Sequence, residues 1–113
     1  VRTAKVLLLG FSFKENCPDV RNTRVVDVYR HLETYGIDVA IYDPYVDLAE
    51  VKDQFDMEVL PSRPKSNFDA IMLCVSHNQF RDEQLLLLSQ LSPTGFIFDL
   101  KGEFPKSECV VRI

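Results

Sequence analysis

Two segments of this chain set a lysine directly after an apolar run, the combination with which a protein meets an anion. Lys14 and Arg21 lie in "GFSFKENCPDVRNT", and Lys101 follows "FIFDL". On a loop and at the start of a helix, Lys14 and Arg21 can face a phosphate whose remaining charge meets the free amides of that helix. They serve equally well as solvated basic residues, one of them paired with Glu15 or Asp19. Lys101 points toward the same edge as Lys14, so two separate elements can converge on one anion. Gly102 lets backbone or ligand approach there.

The neighbouring polar residues read more plainly. Asn22 and Thr23 are read as helix caps in preference to ligand contacts, and Pro18 suits the same helix entry. Cys17 lies near both cations but has no histidine base near it in sequence, which disfavours a nucleophile. Asp43 ends the second apolar run, where dinucleotide folds keep an acid for ribose hydroxyls, yet Asp43-Pro44 is also a turn signal, and the turn is preferred. His77 can reach a crevice but lacks the partners of a triad, so a hydrogen-bonded structural histidine is preferred; His31 is read as a surface residue. No G-x-G-x-x-G, Walker loop, metal-ligand cluster or nucleophile-base pair is present. The chain therefore carries no catalytic and no metal-ligating residue, and reads as a nucleotide- or phosphate-binding module.

These positions need a scaffold, and the hydrophobic pattern supplies one. Lys5 to Phe11 is a continuous apolar run, the pattern of a parallel strand buried on both faces. Val25, Val28, Tyr29, Leu32 and Tyr35 form one helical stripe within residues 21 to 35, and Gly36 is placed to end it. Strands are predicted over 37 to 42, 57 to 60, 70 to 75 and 95 to 100, with "ECVVRI" a sixth. Helices are expected from the Asp47 cap to Phe55 and over "FRDEQLLLLSQL", with Asn78 as its N-cap. Alternating strands and helices give an α/β fold: a three-layer, doubly wound, Rossmann-like sheet of five to six mostly parallel strands, order 3-2-1-4-5. Ligands of such sheets bind beyond the carboxyl ends of the strands.

A length of 113 residues accommodates one domain, and 46% apolar with 27% charged residues suits a soluble globular one. A net charge of −4 without long runs of one sign argues against a nucleic-acid or membrane partner. Cys17, Cys74 and Cys109 are widely spaced, unlike a disulfide framework, and the cytoplasm is the expected setting. The basic start followed by an apolar run is read as a strand, not a signal peptide. Val at position 1 suggests an excised domain or a processed chain.

"LLGFSFKENCPDVRNTRVVDVYRHL", "VAIYDPYVD" and "FIFDLKG" together resemble the C-terminal UDP-binding domain of the nucleotide-sugar 6-dehydrogenases, nearest the UDP-N-acetylhexosamine branch. The F-K-x-x-x-x-D-x-R-x-[ST] string is the most specific element, and the likeness runs along nearly all of the chain. The resemblance implies an enzyme that oxidises the C6 alcohol of a UDP-sugar to a carboxylate with two NAD⁺, through a thiohemiacetal-type intermediate. It implies that NAD⁺ is held mainly by an N-terminal domain, and that the nucleophilic cysteine lies in a central region, neither of which corresponds to this chain. Cys17 does not match that nucleophile. Carried over by position, Phe13, Lys14 and Lys101 contact the UDP-sugar and Arg21 reaches the NAD⁺ side of the cleft. Lys101 stands where many relatives have arginine, which costs the bidentate fork. The chain alone is expected to be inactive, with the other domains of the same enzyme as partners and a homodimer or larger assembly in the intact protein. The alternative is a stand-alone nucleotide-binding or receiver-like module, although a receiver needs acids where this chain has "GFSF".

Overall fold

The computed structural model describes residues 4–12, 16–20, 23–62, 64, 67–75, 77–82, 89–99 and 110–112. Strand β1 (Lys5–Leu9) lies inside the sheet between two others, and every pairing among the described residues is parallel. The order is β2 (Asp38–Tyr42), β1, β3 (Phe68–Leu73), β4 (Leu91–Asp99) and a short β5 (Val110–Arg112). Helices α1 (Val25–Glu33), α2 (Leu48–Phe55) and α3 (Asn78–Asp82) lie on its faces, giving the expected doubly wound arrangement.

The all-apolar β1 works because both of its faces are covered. Val6 and Leu8 join Val25, Val26 and Val51 in one cluster beneath α1 and α2. Leu7 and Leu9 point the other way, into a cluster with Ile71, Leu73, Phe80 and Ile97 beneath α3. Leu7, Leu8 and Leu9 are each wholly buried, and burying one such side chain contributes about 1.5 to 3 kcal/mol.

Helix α1 begins at Val25 rather than near Arg21, because Thr23 starts it from outside: its Oγ1 accepts from the Val25 amide (3.2 Å) and donates to the Phe11 carbonyl. Val26 joins the buried stripe, whereas Tyr35 lies past the helix end, 70% exposed, edge-on to the exposed ring of His31. Gly36 takes the positive φ (73°) expected of a residue that ends the turn. Asp47 caps α2 as expected, its Oδ1 accepting from Ala49 (2.9 Å) and Glu50 (3.2 Å).

The strand expected at 57 to 60 is not formed. Met57 and Val59 are buried and Glu58 is exposed, so the alternation is real. Only Leu60 reaches the ladder, through a single bridge to Tyr42 and an amide bond to the Ile41 carbonyl (2.8 Å). Pro61 has no N–H with which to extend it. The sheet thus keeps the expected neighbours, with its third member reduced to that contact. Asn78 is the first residue of α3 rather than its cap, and the rest of the helix expected to follow falls largely on residues 83–88, outside the described residues.

Candidate functional site at the carboxyl ends of the strands

Tyr42, Leu9, Leu73 and Asp99 are register partners across β2, β1, β3 and β4, so four strands end in one row. Around that row Ser12, Asp43, His77 and Asp99 are buried polar residues.

The Asp43-Pro44 pair forms the expected turn, with Asp43 Oδ1 accepting from the Tyr45 amide at 2.8 Å. The same carboxylate does more. Its Oδ2 accepts from the amides of Phe11 (2.7 Å) and Ser12 (3.0 Å) and from His77 Nε2 (2.9 Å). Burial alone would push this carboxyl up, but the bonds from His77, Phe11, Tyr45 and Ser12 together outweigh it and hold Asp43 below the ordinary aspartate value. With both oxygens engaged and only 2% of the residue exposed, Asp43 is not offered to a ribose.

His77 is fully buried, and the preferred structural reading holds for its position. Its Nδ1 accepts from the Asn16 amide (2.8 Å), so the ring proton is on Nε2, which donates to Asp43; the Ser12 hydroxyl lies 3.3 Å from that nitrogen. Tyr45 covers the imidazole from one side, its ring centroid 4.6 Å away, and Phe80 packs on it at 5.5 Å.

Two further residues complete the hub and had only faint sequence signals. Gly10 has φ +95°, and a Cβ there would stand 2.6 Å from Val75 Cβ and 2.8 Å from Val75 N, so β1 and β3 close on each other at this point. Asn16 sits at φ 55°, a region where asparagine is enriched among non-glycine residues. Its Oδ1 accepts from the Asn78 amide (2.8 Å), which gives the first turn of α3 a cap from a distant loop.

Phe13, Lys14, Arg21 and Lys101, the residues expected to touch ligands, lie outside the described residues, as do Glu15, Asn22, Gly102 and Cys109. The structure describes what surrounds them: Ser12 and Asn16 on either side of Phe13 and Lys14, and Asp99 two positions before Lys101. Cys17 is a half-buried free thiol. Cavities of about 410 and 380 Å³ lie elsewhere, along the outer side of β2, lined by Lys52, Met57 and Glu58 among others. None of Ser12, Asp43, His77 and Asp99 lines them.

Residues 7–105 match the UDP-glucose/GDP-mannose dehydrogenase family, UDP binding domain. The chain is 38% identical to UDP-N-acetyl-D-glucosamine 6-dehydrogenase of Salmonella typhi, covering 100% of this chain and 27% of that protein. It is 40% identical to the enzyme of the same name from Pseudomonas aeruginosa, covering 97% and 26%. The chain thus spans about a quarter of these relatives' length. The fold is shared with Cap5O, a UDP-N-acetyl-mannosamine dehydrogenase from S. aureus (TM-score 0.73, 22% identity, covering 99% of this chain and 26% of that one). It is shared also with GDP-mannose dehydrogenase of Pseudomonas aeruginosa (TM-score 0.74, 19% identity, covering 97% and 28%). Nothing in these likenesses supports a receiver-like module. A parallel sheet with a built polar rim, matched over almost its whole length, belongs to the UDP-glucose/GDP-mannose dehydrogenase family as its UDP-binding domain.

Proposed function

We propose that this chain holds the nucleotide-sugar in an NAD-dependent 6-dehydrogenase that oxidises the C6 alcohol of a UDP-N-acetylhexosamine to the carboxylate, using two NAD⁺. The match of residues 7–105 to a UDP-binding domain carries this reading, and the names of the two 6-dehydrogenases above supply the sugar class. The row of strand ends supports it. β1 and β4 are two strands apart in the sheet, a separation of about 10 Å at the usual strand spacing. The segments bearing Phe13 with Lys14 and bearing Lys101 leave from those two ends. In this reading the two lysines neutralise the diphosphate, Phe13 contacts the nucleotide-sugar and Arg21 faces the NAD⁺ side of the cleft.

NAD⁺ supplies the hydride acceptor of such an enzyme, and the turn after β1 does not suit it. A pyrophosphate needs bare backbone at that turn, whereas the space beside Gly10 is filled by Val75. The glycine-rich cradle belongs to another domain of a longer, cytoplasmic and oligomeric enzyme, and this chain by itself turns over no UDP-sugar. Among the described residues no helix is long and apolar enough to cross a membrane.

Titration calorimetry of the chain with UDP tests the assignment. Lys14→Ala and Lys101→Ala should each weaken binding by about 1.5 to 3 kcal/mol, the usual worth of a charge-assisted bond. Wild-type affinity in either variant removes that lysine from the site.

A further inference from the structure

The buried imidazole of His77 is joined to the chain on both sides of Phe13 and Lys14. Before them, the Phe11 and Ser12 amides share Asp43 Oδ2 with His77 Nε2, and the Ser12 hydroxyl is 3.3 Å from that nitrogen. After them, the Asn16 amide donates to His77 Nδ1 at 2.8 Å. The two ring nitrogens have different tasks. Nε2–H fastens the ring to Asp43 and through it to the ends of β1 and β2. Nδ1 fastens Asn16 to the ring, and Asn16 in turn accepts from the first amide of α3. Both ring nitrogens are satisfied, as a buried imidazole requires, and the partner that Nδ1 takes is the amide two positions after Lys14.

We propose that His77 is a positioning residue for the nucleotide-binding segment: Nδ1, through the Asn16 amide, fixes where the chain resumes after Lys14, while Nε2 fixes the ring to the fold. This rests on the nucleotide-binding reading above.

Two substitutions separate the nitrogens, because a glutamine amide nitrogen reaches where Nε2 stood and an asparagine oxygen stands near Nδ1. His77→Gln keeps a donor for Asp43 and loses the acceptor for Asn16; His77→Asn does the reverse. In the 113-residue chain, UDP affinity should fall tenfold or more in His77→Gln and stay within about threefold of wild type in His77→Asn. Melting temperatures should rank the opposite way, with His77→Asn the less stable. A purely structural histidine would give the same order in both measurements, and that result overturns the proposal. Should His77→Asn fail to fold, hydrogen exchange in the wild-type chain decides. Saturating UDP should slow exchange of the Asn16 amide at least fivefold, and an unchanged rate rejects the inference. If the wild-type chain binds no UDP, the nucleotide-site reading falls and takes this inference with it; if it binds and the variants rank alike, only the inference falls.

Discussion

Two aspartates accept backbone amides at opposite ends of the sheet, and they are not equivalent. Asp69, in β3, takes the Lys5 amide at 2.8 Å in an exposed setting. Asp43, after β2, is 2% exposed and takes amides from Phe11, Ser12 and Tyr45 together with His77 Nε2. At the amino end, water can replace the carboxylate as acceptor, so the bond contributes little beyond what hydration returns. At the carboxyl end the carboxylate is buried, and three segments depend on one charge. The carboxyl-end rim is organised around a buried anion, whereas the opposite end is tied by a less buried one.

The contrast is broken most directly by Asp43→Ala. It removes the acceptor shared by His77 Nε2–H and the Phe11 and Ser12 amides, and each buried donor left unpaired costs about 1 to 3 kcal/mol. Urea denaturation measures it, and a loss below about 1 kcal/mol would put the two aspartates on a par. Acid gives a smaller effect of defined sign. The folded carboxyl of Asp43 is held below its ordinary value of 3.8, so the unfolded chain takes up a proton more readily. The stabilisation is whole above the unfolded value and is lost as pH falls through the folded one. Stability should therefore decline from about pH 5 downward, more steeply in wild type than in Asp43→Asn; parallel pH profiles would show that the carboxylate contributes nothing specific. The smallest effect belongs to Asp69→Ala, at a half-buried residue, expected at about 0.5 to 1.5 kcal/mol, the usual worth of one hydrogen bond. A loss of several times that size would mean the amino end is built as tightly as the rim.

Much of this was legible in the residues. The unbroken apolar run of β1 announced two covered faces, and Asp47 and Gly36 announced the ends of helices, because those signals are local. Met57 to Leu60 misled because alternation reports which side chains are buried, not whether backbone groups find ladder partners. Asp43 and His77 were readable as a turn and a hydrogen-bonded histidine, but not as partners, since they are 34 positions apart and only the order of β2, β1 and β3 brings them together. Asn16 escaped for the same reason: its left-handed backbone is a local hint, but its two bonds are made 61 and 62 positions away.

The contact between Gly10 and Val75 also limits which residues position 10 can hold. Of the three atoms nearest to a Cβ at position 10, two are backbone: Val75 N at 2.8 Å and Val75 Cα at 3.0 Å. Trimming the valine would remove only the third, so no exchange at position 75 makes room for a side chain opposite. A core position can usually be changed by trading volume between neighbours; position 10 cannot, because the obstruction there is main chain.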